Sequence, residues 1–201
     1  MADTRTELRR CHVLDGVDGA PGEAFQPTRA SAFQMRRAPD APRHSLRLDP
    51  ARAREQRTVL GFDVGQPINA GCGLETLLRG EPRASLRLGP DEWLLIGQPS
   101  QLDDQAGLKI TDISHRNIAI DVRGEAVRDV LQTGIALDLD ERGFPAGAAT
   151  RTLFVKAEVV LVHWRDAAGG SVFRIECWRS FGRYLAAHLA QSATLLGLDP
   201  K

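Results

Sequence analysis

Apolar positions are unevenly spread along the chain. Residues 1–44 hold only four branched aliphatics, Leu8, Val13, Leu14 and Val17, among seven Gly and Pro and many charges, too little apolar side chain for a core segment. The pattern predicts an extended N-terminal arm over 1–44 and one folded domain over 45–201. Within the arm, Ala32, Phe33, Met35 and the basic pair Arg36 and Arg37 are disposed either to lie along a partner or to stay mobile. Beyond it, Ser45-Leu46-Arg47-Leu48-Asp49 alternates as a half-buried strand does, and Thr58–Phe62 reads as a second after a short Arg-rich link. Gly65–Gly73 (GQPINAGCG) is a loop by its turn residues.

The middle of the chain alternates more clearly. Ser85–Leu88 is a strand, Gly89-Pro90-Asp91 a tight turn, and Glu92–Ile96 the returning strand of a β-hairpin. Over Ile110–Val122, Ile118, Ile120 and Val122 share one side and Asn117, Ala119 and Asp121 the other, the two-residue period of an antiparallel strand. Gly124 opens a helix with Val127, Val130 and Leu131 at helical spacing and Gly134 as its stop. A second hairpin runs from Leu153–Trp164, through Asp166–Gly170, to Val172–Trp178, with Phe173, Ile175 and Cys177 on one face and Arg174 and Glu176 alternating with them as an outer face of paired charges or a contact surface. Ser180 caps a last helix with the stripe Phe181, Tyr184, Leu185, His188, Leu189, Ala193 and Leu196. Strands joined by hairpins, with two helices packed beside them, predict an α+β fold with antiparallel sheets.

Composition narrows the function. A chain of 201 residues with 42% hydrophobic and 26% charged residues is an ordinary globular protein, large enough to fold without disulfide or metal. Its 26 basic and 26 acidic residues cancel, whereas nucleic-acid binders carry a basic surplus. No apolar run reaches the roughly 18 residues of a membrane span, and MADTRTELRR lacks a signal-peptide core. With Cys11, Cys72 and Cys177 scattered and no CxxC pair, the expected setting is the reducing cytoplasm.

Candidate chemistry is sparse. Gly71-Cys72-Gly73 begins like a dinucleotide loop, but Thr76 replaces the third glycine and no strand precedes it. His12, His44, His115, His163 and His188 form no pair at a metal-binding spacing. Ser114 and His115 are adjacent on extended chain, so their side chains diverge. His163, in the most apolar strand, reads as a core or sheet-edge histidine. Asp91/Glu92, Asp103/Asp104 and Asp138/Asp140/Glu141 sit at turns, where Asp bonds nearby amides. Trp93, Trp164 and Trp178 are core residues or interface anchors. The polar run carrying Asp112, His115 and Arg116, together with Trp93 and Trp178, is the expected functional or interface cluster; no catalytic, cofactor-binding or metal-binding residue is assigned.

At RLGPDEWLL (87–95), TDISHR (111–116) and SFGRYL (180–185), in this order and spacing, the chain resembles the gamma subunit of heterotetrameric sarcosine oxidase. GEAVRDVL (124–131), LDL (137–139) and FPAG (144–147) resemble the stretch lying between these motifs in that family, and the similarity spans roughly 46–196. It implies a compact fold like part of the aminomethyltransferase (T-protein) folate-binding module. It also implies a non-catalytic subunit bound to alpha, beta and delta chains. That complex oxidises sarcosine to glycine and hydrogen peroxide and passes the one-carbon unit to tetrahydrofolate, with FAD, FMN, NAD and zinc held by the other chains. Cys177 is preceded by Ile175-Glu176, unlike the Lys-Gly-Cys signature of YgfZ-like relatives. The alternatives are the corresponding subunit of N-methylglutamate dehydrogenase and a free-standing folate-binding T-protein-like protein.

Overall fold

The computed structural model describes residue 14 and residues 32–78, 81–100 and 107–198. Along the chain come β1 (Gln34–Arg37), β2 (Arg43–Leu48), α1 (Pro50–Glu55), β3 (Thr58–Val59), β4 (Phe62–Asp63), β5 (Ala70–Cys72), β6 (Ala84–Arg87), β7 (Glu92–Ile96) and β8 (Leu108–Asp112). There follow β9 (Asn117–Arg123), α2 (Val127–Gln132), β10 (Ala149–Phe154), β11 (Ala157–Arg165), β12 (Ser171–Trp178) and α3 (Gly182–Leu195). A first sheet has the order β1-β9-β12-β11-β10 and a second the order β5-β6-β7-β2-β8. Every pairing is antiparallel. This is an α+β architecture with antiparallel sheets, as the alternation predicted.

Period two sorts each strand into layers. From β9, β11 and β12, Ile118, Ile120, Val122, Val159, Leu161, Phe173, Ile175 and Cys177 face α2 and α3 and meet Val130, Leu131, Leu185, Leu189 and Ala193. The opposite face of this sheet, through Ala149, Val162, Trp164 and Val172, packs on Leu86, Leu94 and Ile96 of the second sheet. Beyond lies a third apolar layer, in which Leu46, Leu48, Trp93 and Leu95 cover Ala53, Val59, Phe62 and Val64. Each large aliphatic or aromatic side chain so buried contributes about 1.5–3 kcal/mol.

Several expectations are corrected. Residues 32–44 do not belong to an extended arm: β1 pairs with β9, β2 begins at Arg43, and Phe33 and Leu14 are buried in the helix-side layer. Composition concealed this because β1 buries Arg36 rather than an aliphatic. The run 110–122 is two strands, since β8 belongs to the second sheet and β9 to the first, and the turn between them carries the chain across. Thr58–Phe62 is the start of a tight hairpin, turned by Leu60 and Gly61 at φ 52° and 81°, the left-handed pair of a type I′ turn. The Arg-rich link is α1, whose first turn is capped by the Asp49 carboxylate accepting from Ala51 N at 2.7 Å. The 65–73 loop ends in β5.

Gly134 does follow α2, but a Cβ there would lie 2.3 Å from the Phe154 ring, so close approach rather than left-handed backbone demands glycine. Ser180 makes no cap; Arg179–Phe181 forms a 3-10 turn leading into α3. Cys11 and Asp103/Asp104 lie outside the described residues.

At one corner the sheets are sewn together. Gly71 N donates to Gly147 O at 2.8 Å, Ala149 N donates to Asn69 O at 3.0 Å, and Ala70 bridges Ala148.

Candidate interaction site

On the face of the first sheet that meets the second, register stacks the side chains in rows: Arg36, Asp121, Arg174, Val162 and Ala149 form one, Ala119, Glu176, Val160 and Arg151 the next. Arg174 and Glu176 are therefore not on an outer face but buried between sheets. Arg174 donates from Nε to Asp121 Oδ1 at 2.7 Å and from Nη2 to Asp121 Oδ2 at 3.0 Å and Leu77 O at 3.1 Å. Arg43, on β2 of the other sheet, donates to Glu176 through Nε at 2.6 Å and Nη2 at 3.2 Å, and to Ala41 O at 2.8 Å. Arg36 approaches Asp121 Oδ2 at 3.6 Å. Burial opposes the Arg174 charge, yet Asp121 and then Glu176 raise its pKa further above the ordinary arginine value. Such bidentate geometry is what lets charges sit in an interior.

The Thr111–Arg116 turn clamps the edge of this network. Asp112 Oδ1 accepts from Ser114 N at 2.8 Å and from its hydroxyl, which lowers the Asp112 pKa. Ser114 Oγ in turn accepts from Arg43 N at 2.9 Å, and Ile113 N donates to Arg43 O at 2.8 Å. The crossing between sheets thus holds the backbone of the arginine that joins them. His44, in register with Asp112, has its pKa lowered by burial, with Asp112 opposing.

One row further, the sheet face emerges from cover. Asn117, Trp178, Glu158 and Leu153 continue the pattern, but Trp178 is 48% and Leu153 58% exposed. The Arg116 guanidinium lies 5.5 Å from the Trp178 ring centroid, Phe181 stands 6.4 Å away, and Arg179 donates from N to Arg116 O and from Nε to His115 O. A narrow cleft of ≈ 100 Å³ opens here, lined by Ser45, Glu92, Ile113, Arg116, Asn117, Arg151, Glu158, Glu176 and Trp178. Of the residues singled out from sequence, Arg116 and Trp178 touch at this mouth, and His115 joins them through its carbonyl. Asp112 is exposed and turned to Ser114. Trp93 is fully buried in the third apolar layer, under Arg87. Sequence reasoning missed Arg43 and Arg179, which carry no local signal, and it set Arg174 and Glu176 on an outer face although the alternation had correctly placed the two together.

Elsewhere, a wider groove of ≈ 650 Å³ runs beside the seam between Pro67, Asn69 and Gly71 on one bank and Leu137, Asp138, Phe144 and Gly147 on the other. Its size falls in the range of small-molecule sites. Behind it His163 is wholly buried, as expected of a core histidine, with Nδ1 donating to Phe144 O at 2.9 Å and its ring stacked 4.4 Å from Phe173. Since a carbonyl only accepts, the proton sits on Nδ1 and Nε2 accepts from the Ser171 hydroxyl at 3.2 Å. Burial lowers the pKa of this ring and pushes the Cys177 thiol up to about 12. No group of three or more His, Cys, Asp or Glu among the described residues is placed to hold a metal ion, and no described helix is long and apolar enough to cross a membrane.

No family model matches the chain, and no curated protein matches it in sequence. Among solved structures, a chain of the heterotetrameric sarcosine oxidase from Corynebacterium sp. U-96, in complex with pyrrole 2-carboxylate, superposes with a TM-score of 0.65 at 23% identity, over 84% of this chain and 87% of that one. The glycine cleavage system aminomethyltransferase T from Bartonella henselae superposes with a TM-score of 0.56 at 11% identity, over 80% of this chain and 46% of its own length. This chain therefore shares its fold with a sarcosine oxidase chain and with about half of an aminomethyltransferase.

Proposed function

We propose that this chain is a gamma-type assembly subunit of a heterotetrameric amine-oxidising complex of the sarcosine oxidase kind. The observation that carries the reading is reciprocal coverage: the chain matches 84% of itself onto 87% of a sarcosine oxidase chain but spans only 46% of the aminomethyltransferase. The fold thus corresponds to most of one sarcosine oxidase chain and to about half of the aminomethyltransferase. The interior polar groups support a scaffolding role, because Arg43, Asp121, Arg174 and Glu176 are engaged with one another. In this reading the companion alpha, beta and delta chains carry FAD, FMN, NAD and zinc and deliver the one-carbon unit to tetrahydrofolate. The fold contributes a rigid two-sheet body against which they pack.

The test is co-expression of the tagged chain with the companion chains of its own genome, followed by size-exclusion chromatography and a flavin spectrum. A yellow complex of four different chains that oxidises sarcosine is the expected outcome; activity on N-methylglutamate instead would assign the related dehydrogenase. The aminomethyltransferase fold supports a second reading, a free-standing folate binder. Saturable micromolar binding of tetrahydrofolate to the lone, monomeric chain would favour it.

A further inference from the structure

The end of the sandwich where the first sheet outruns the second is built as a core and left uncovered. In the two preceding rows of the same face the side chains of Asp121, Arg174, Val162, Glu176 and Ala119 are sealed beneath the second sheet. In the next row, the same pleat presents Trp178 and Leu153 to solvent, 48% and 58% exposed, with Glu158 between them. Large apolar side chains continuing a buried face belong under a second layer, since an exposed apolar patch marks a contact surface. At its Trp178 end the row is flanked by two cations. Arg116 lies over Trp178 and Arg179 is held beside it by His115 O, while Glu158 is already paired to Arg151 at 3.6 Å. Phe181, 6.4 Å from the Trp178 ring, extends the surface. Trp, Tyr and Arg are the residues that dominate binding energy at protein interfaces.

We infer that this overhang, centred on Trp178, Leu153 and Arg116, is the surface on which a partner chain docks, and that the partner presents an apolar patch ringed by carboxylates. The inference deepens the assembly reading and rests on it. The partner's apolar side chains complete the layer that the second sheet leaves short, and its carboxylates meet Arg116 and Arg179. On a chain whose formal net charge is zero, a local cationic rim selects one orientation of approach rather than a general affinity for acids.

The test uses the co-expressed complex. Trp178→Ser with Leu153→Ser, and separately Arg116→Glu, are compared with wild type and with Arg142→Glu, an exposed position on the loop by the groove. The overhang variants are expected to raise the concentration at which the subunit leaves the complex by at least tenfold, and Arg142→Glu to leave it unchanged. Raising salt loosens the wild-type complex, and Arg116→Glu flattens that dependence. Each variant is first shown to melt as wild type does. If wild type assembles and the overhang variants assemble equally well, the inference falls and the subunit reading stands. If wild type fails to join the companion chains, the reading falls and takes the inference with it. If the lone wild-type chain is a dimer that Trp178→Ser dissociates, the occupant is a second copy and the inference is overturned.

Discussion

Glu176 and Arg43 come from different sheets and meet where water is excluded, so neither tolerates losing the other. Removing one member of a buried pair leaves an uncompensated charge and costs about 3–5 kcal/mol, whereas replacing both by apolar residues is often close to neutral. Glu176→Leu is therefore expected to lower stability to urea by about 3–5 kcal/mol, and adding Arg43→Met to restore part of the loss. The two variants together measure the pair's coupling. His163 behaves differently because it is buried neutral. Its folded pKa lies below the unfolded value of about 6.5, so its contribution is complete above pH ~6.5 and is lost as pH falls through the depressed folded pKa. His163→Gln is expected to flatten the fall in melting temperature on that acid side, with His44, shifted in the same direction, accounting for part of what remains.

At the scale of elements, a tight junction joins α2 with β10, where Gly134 lies against the Phe154 ring and Val155 N donates to Gly134 O at 2.7 Å. Gly134→Ala forces the ring aside in a packed layer and is expected to cost about 1–3 kcal/mol, read as a drop in urea midpoint with unchanged slope. Hairpins β6/β7 and β11/β12 were legible in the sequence because apolar alternation and turn residues agree there, but the turn at Val155 and Lys156 that splits the expected strand 153–164 between β10 and β11 was not. β1 was not legible, because its buried position is Arg36, and a charge reads as solvated until the strand beside it supplies Asp121. The break between β8 and β9 was also hidden: alternation is a local signal and says nothing of which sheet a strand joins. At the candidate site the polar run 112–116 and Trp178 drew notice from composition. The Arg43–Glu176 contact, spanning 133 residues, has no local signature.

For the molecule as a whole, the N-terminal region matters more than its composition implied. Leu14 stands among few apolar neighbours in sequence yet is buried with Phe33, Ile118 and Ile120, so it belongs to the same cooperative unit as α3. Leu14→Ala is expected to destabilise the entire chain by about 2–5 kcal/mol in a single transition, with helix and sheet signals melting together; a separate early transition would show the region to be an appendage.

The seam between Gly71 and Gly147 bears on how the chain meets other copies of itself. Open strand edges invite a second copy to add its own strand. β5 and β10 are edge strands of different sheets, and where they meet each satisfies the other's backbone groups. Among the described residues, the two five-stranded sheets thus have two of their four margins partly closed to strands from other copies of the chain.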